Sequence, residues 1–142
     1  MKTLLTVVAC IIVVACGSAT GPSGRPSLAG VWAYRDTMHI GGGCASQGQF
    51  TIYQVASDSG NFTGVIKNFV KVCNGTMSPL SDLGVRGYEA PTDTVSFSSY
   101  LLTNGIPLSP LWHGRLTDAA HMSGIFDSTG NPAIFTWTAV KQ

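Results

Sequence analysis

Charge is sparse in this 142-residue chain: eight Lys+Arg, seven Asp+Glu, and Glu89 as the single glutamate. The basic residues of its body (Arg35, Lys67, Lys71, Arg86, Arg115 and Lys141) are scattered along it. Nucleic-acid surfaces need clustered positive charge to neutralise phosphates, so nucleic acid is not expected as a partner. Beyond the N-terminal segment no stretch repeats its apolar residues at a helical period, which removes helix bundles and α/β architectures.

Catalytic groups are also thin. The histidines are His39, His113 and His121. A cluster of Asp36, His39, His113, Asp118 and His121 can be drawn, with His113 meeting His121 across a hairpin, but nothing supplies a third ligand or an activated water. Ser96-Phe97-Ser98-Ser99 lacks the Gly-x-Ser-x-Gly elbow of hydrolases. The chain reads as non-enzymatic, with no metal and no cofactor. Asn61-Phe62-Thr63 and Asn74-Gly75-Thr76 fit the glycosylation triplet and read as turn sequences.

What is present begins with Met1-Lys2 and an apolar run from Leu4 to Ala15, which switches abruptly to Gly17-Ser18-Ala19-Thr20-Gly21-Pro22. A positive start, a short apolar stretch and small residues at its end make a secretory signal. About 12 apolar residues span roughly 18 Å as a helix, against a hydrocarbon core of roughly 30 Å, too short for a mature span. Val13-Val14-Ala15-Cys16 resembles the lipobox of bacterial lipoproteins. That resemblance implies cleavage before Cys16 and acylation of it, hence membrane attachment through N-terminal acyl chains. Val7-Val8-Ala9-Cys10 also fits, but cutting there would leave Ile11 to Val14 as an apolar mature terminus. Gly17, where an aspartate would signal inner-membrane retention, implies the outer membrane of the envelope if the host is diderm. The expected organisation is residues 1–15 as signal peptide, 16–27 as acylated cysteine and flexible Gly/Ser/Pro tether, and 28–142 as one domain with a modest core.

With Cys10 leaving in the signal and Cys16 acylated, Cys44 and Cys73 remain as two thiols in an oxidising compartment. A disulfide between them is expected; zinc would find only half a site.

The domain alternates. Leu28 to Tyr34 places an aromatic at every second position. Gln49 to Val55 sets Phe50 and Ile52 on one face, and Phe62, Gly64, Ile66 and Val70 share a face in the returning strand, an expected hairpin. Leu83 to Tyr88, Thr94 to Leu102, Trp112 to Thr117, His121 to Phe126 and Ala133 to Val140 follow, with Met77 to Asp82 irregular and Thr103 to Pro110 a loop. Seven or eight short strands between Gly/Asn/Asp/Pro turns predict an all-β sandwich or barrel. Gly64 and Gly124 occupy matching points of returning strands, where a bend or bulge would help closure.

Gly30-x-Trp32, Gly60-x-Phe62-Thr63-Gly64 and the closing Phe135-Thr136-Trp137-Thr138-Ala139-Val140-Lys141 resemble the lipocalin/avidin-like small barrels. That resemblance implies a single antiparallel meander of about seven to eight strands, with Trp32 at the closed end beneath Lys141. The chain is shorter than a lipocalin and lacks its helix. No residues match the biotin contacts of avidin.

Trp32, Phe50, Phe62, Phe97, Trp112, Phe135 and Trp137 point inward on this reading, either filling the interior or lining a pocket for one small ligand. Tyr34, Tyr53 and Tyr100 are expected outside. The leading functional expectation is a monomeric, membrane-anchored envelope lipoprotein binding a small apolar or amphipathic ligand. The alternatives are a protein-interaction module, such as an inhibitor of a cell-wall-degrading enzyme, and a structural envelope component.

Overall fold

Alternating apolar and polar residues become nine antiparallel strands in the computed structural model of the protein, which describes residues 26–38, 43–54, 59–127 and 135–142. They are β1 (Gly30–Met38), β2 (Ala45–Gln54), β3 (Asn61–Cys73), β4 (Thr76–Pro79), β5 (Leu83–Glu89), β6 (Thr94–Leu101), β7 (Pro107–Asp118), β8 (His121–Asp127) and β9 (Phe135–Lys141). Apart from β4 and β5, neighbours in sequence are neighbours in the sheet. The order is β2-β1-β9-β8-β7-β6-β5-β3-β4, and β2 also pairs with β3, so eight strands close into a barrel. The ninth, β4, extends the same edge of β3 that β5 uses: Asn61 to Ile66 pair with β5, and Val70 to Cys73 pair with β4. Closure leaves no long unpaired edge on the barrel itself.

Asn74-Gly75 forms the two-residue turn between β3 and β4. Both residues have left-handed φ, 49° and 79°, as a type I′ hairpin requires. Cys73 joins Cys44 in a disulfide, tying the end of β3 to the start of β2.

The interior is filled by the inward-facing residue of each alternation. Trp32, Phe50, Ile66, Val85, Phe97, Met122, Trp137 and Ala139 are fully buried. Leu28 plugs one end, and Trp32 Nε1 donates to its carbonyl at 2.9 Å. Over the Trp32 ring sits the Lys141 ammonium, 5.3 Å from the centroid, which also donates to the Ser27 carbonyl at 2.7 Å. Gly30 makes room for this latch: it has φ 136°, and a Cβ there would meet Lys141 Cε at 3.0 Å. The expected placement of Trp32 beneath Lys141 is therefore observed.

Several expectations are corrected. Tyr34 is buried, not outside; it lies two residues after Trp32 and so shares its face. Val70 does not share the face of Phe62, Gly64 and Ile66. Asn68 adopts φ 53°, and the β2–β3 register shifts between Gln47 and Gln49. This bulge inverts the alternation and turns Phe69 against the core instead. Pro107 to Pro110 belong to β7, not to a loop, and part of the Met77 to Asp82 stretch is β4. Gly64 and Gly124 mark no bulge. They relieve crowding: a Cβ on Gly64 would meet the Phe50 ring at 2.8 Å, and one on Gly124 would run into the backbone of Gly114, its direct partner. Tyr53 is exposed as expected, and Tyr100 lies outside against Arg86.

Candidate functional site

At the end of the barrel opposite Leu28, the packed interior gives way to a cavity of about 340 Å³. That is large enough for one small ligand and at the lower end of the range for ligand sites. The change follows from side-chain size and direction. Toward the plugged end large rings meet across the axis, Phe97 lying 5.4 Å from Phe50 and 5.3 Å from Trp137. Toward the other end the strands contribute Leu83, Leu108 and the bulge-turned Phe69, which line a space rather than fill it.

One wall is aromatic and is built by register. Phe97 on β6 lies directly opposite Trp112 on β7, Trp112 opposite Phe126 on β8, and Phe126 opposite Phe135 on β9. Directly paired residues hold their side chains close enough to interact. Phe97 and Trp112 stack at 5.2 Å and 9°, and Trp112 and Phe126 at 5.1 Å and 10°. Phe135 tilts by 48° against Phe126 at 4.4 Å. The ladder thus runs out of the packed core and ends on the cavity, which Trp112, Phe126 and Phe135 line.

The polar part of the lining is small: Asp36, Ser46 and Lys71. Asp36 is fixed by two donors. The Ser46 amide donates to Oδ1 at 2.9 Å and the Tyr34 hydroxyl to Oδ2 at 3.1 Å. Tyr34 in turn accepts from Trp112 Nε1 at 3.0 Å, across the barrel. Burial lifts the Asp36 carboxyl above its ordinary value, offset in part by the Ser46 and Tyr34 hydrogen bonds and the Lys71 charge. Burial, and then the Asp36 charge, hold the Tyr34 phenol well above its ordinary 10.0, so it stays an O–H donor. The result is a mostly apolar chamber with one oriented carboxylate and one ammonium in its wall. The Cys44–Cys73 disulfide lies alongside, with Cys44 in the lining.

Of the seven aromatics expected inside, Trp112 and Phe135 line the cavity, while Trp32, Phe50, Phe62, Phe97 and Trp137 are packed core. Sequence reasoning missed Phe69, Phe126 and Tyr34, and drew Asp36 into a histidine cluster instead of the cavity wall. Phe126 was detectable from Met122, Gly124 and Phe126 alternating along one strand. Asp36 continues the Trp32, Tyr34 face.

The imagined histidine cluster does not assemble. His113 bonds Ser96 Oγ through Nδ1 at 3.2 Å. His121 pairs with Asp118 at 2.8 Å in the β7–β8 turn, at the far end of the barrel from Asp36, and His39 lies outside the described residues. Among the described residues no three His, Cys, Asp or Glu side chains are grouped to hold a metal. Cys16 and the expected signal also lie outside them.

No family model matches the chain, and no curated protein matches it. Solved structures that share its shape include two designed barrels. A redesigned β barrel is 17% identical with a TM-score of 0.55, covering 81% of this chain and 91% of the design. A de novo designed fluorescence-activating β barrel is 12% identical with a TM-score of 0.54, covering 80% of this chain and 93% of that one. At such identities the likeness establishes the closed eight-stranded antiparallel barrel and nothing finer.

Proposed function

We propose that this protein is a bacterial envelope lipoprotein, anchored through acyl chains on Cys16, whose barrel binds a small apolar or amphipathic molecule without transforming it. The observation that carries the binding reading is the cavity at the end of the aromatic ladder, apolar over most of its wall with Asp36 and Lys71 as its charged groups. Ligand sites have this composition: extensive apolar contact, with few polar groups to orient the occupant. The anchoring reading is supported by the resemblance of Val13-Val14-Ala15-Cys16 to a lipobox and by a disulfide, which suits an oxidising compartment.

Native mass spectrometry of the full chain purified from bacterial membranes tests both parts. The expected result is an acylated N-terminal Cys16 and a non-covalent small-molecule adduct. Leu108→Trp, which fills the cavity, removes the adduct. A mature terminus elsewhere overturns the anchor, and an empty barrel that also takes up no apolar probe overturns the binding reading.

A second reading, a protein-contact module, is favoured by Met77 and Ile106, which are 61% and 53% exposed near the cavity end. Met77→Asp distinguishes it, since it abolishes a protein contact made there and spares uptake of a small probe.

A further inference from the structure

We infer that the occupant of the cavity is a flat aromatic alcohol, its rings against Trp112, Phe126 and Phe135 and its hydroxyl donating to Asp36. This rests on the small-ligand reading above and narrows it to a chemical class.

Two features select the class. The first is the wall. A flexible alkyl chain is accommodated equally well by leucines, but this cavity is lined by the end of a four-ring ladder held in strand register from β6 to β9. A planar ring system gains contact area there without loss of rotamer freedom, and ring–ring geometry adds to it. Phe69 lines the same cavity from β3, so the chamber has aromatic groups from both sides of the barrel.

The second feature is Asp36. An ionised carboxylate has about four acceptor positions, and two are taken, by the Ser46 amide and the Tyr34 hydroxyl. The Trp112 N–H to Tyr34 to Asp36 chain orients the carboxylate from behind. Trp112, whose faces are covered by Phe97 and Phe126, presents only its edge to the cavity and helps to hold an acceptor beside it. Lys71 shares the lining and its charge acts on Asp36. A hydroxyl satisfies both groups, giving its hydrogen to Asp36 and accepting from the ammonium. A headgroup of either charge would meet one like charge beside its opposite, whereas a neutral hydroxyl meets no like charge.

The test is calorimetric titration of the purified full chain with naphthol, its methyl ether and dodecanol. The ether keeps the rings and removes the donor; dodecanol keeps the donor and removes the rings. Naphthol is expected to bind at least about tenfold more tightly than either, the scale of one hydrogen bond to a charged group. In Asp36→Asn the preference for naphthol over its ether shrinks to less than about threefold, and in Phe126→Leu the preference over dodecanol falls by a similar factor. Circular dichroism establishes that each variant is folded, and the comparison of probes on the unaltered protein stands without them. Dodecanol binding as tightly as naphthol overturns the aromatic assignment. Ether binding as tightly overturns the hydrogen bond to Asp36. If none of the three binds, the small-ligand reading falls and this inference with it.

Discussion

Phe97 lies directly opposite Trp112 across the β6–β7 ladder, with the two rings 5.2 Å apart and 9° from parallel. Phe97 also meets Phe50, Phe62 and Trp137, so four strands besides its own converge on one ring. Phe97→Ala is expected to destabilise the barrel by about 3–5 kcal/mol, the usual range for a buried phenylalanine. Phe135→Leu, at the half-buried end of the ladder, should cost less than about 1.5 kcal/mol. Urea denaturation followed by tryptophan fluorescence measures both. Equal losses would show that the ladder has no packed and unpacked ends.

The Lys141 latch ties the last strand to the segment before the first. Lys141→Met keeps most of the stem over Trp32 but removes the ammonium and its bond to the Ser27 carbonyl. A loss of about 1–3 kcal/mol is expected from the cation–π contact and the charged hydrogen bond together. Amide hydrogen exchange should accelerate at Trp32 and at Gln142, whose N–H donates to the Val31 carbonyl. Unchanged exchange there would mean the latch contributes nothing to holding that end.

Reduction of the disulfide releases a loop of 29 residues' separation, worth about 3–4 kcal/mol on the chain-entropy account. The double variant Cys44→Ser, Cys73→Ser should reproduce that loss in denaturant titrations. It should also weaken probe binding, because Cys44 lines the cavity. A stability loss with unaltered binding would separate the crosslink from the cavity.

Acid should act through Asp118 and Asp36 in opposite senses. The Ala120 amide, and then His121, hold the exposed Asp118 carboxyl below its ordinary 3.8. Its contribution is present above that value and is lost as pH falls through the lower folded-state value. Asp36 is raised by burial, so its charge is a penalty at neutral pH that is relieved as pH falls through the raised value. Asp118→Asn should therefore be less stable than wild type at pH 7, with the difference vanishing as pH falls through the lowered folded-state value. Asp36→Asn should shift the acid limb the other way. Denaturation midpoints at a series of pH values settle the sign of each.

Local periodicity carried much of the fold into view. Phe50 and Ile52, or Val95 and Phe97, alternate because one side of each strand is buried and the other is wet, and that constraint is written residue by residue. The disulfide was legible because two cysteines remained once the N-terminal pair was accounted for. What stayed hidden depends on partners distant in sequence. The bulge at Asn68 is a single left-handed residue, and its effect of exchanging Phe69 for Val70 cannot be seen in an apolar tally. Pro107 and Pro110 read as loop residues, yet they fall in the part of β7 where its pairing with β6 slips between Ser98 and Tyr100. Trp112 and Tyr34 are 78 residues apart, so the hydrogen-bond chain that orients Asp36 had no local signature. The cavity follows from both: a frame shift on one strand and a buried carboxylate held from the opposite wall.

Among the described residues the chain enters the barrel at the Leu28 plug. Tethering at Cys16 would hold the molecule like a cup by its base, the receptacle turned from the supporting bilayer. Cargo would then reach it from the surrounding compartment or from a donor on the far side, and the lipids underfoot would be the least direct source.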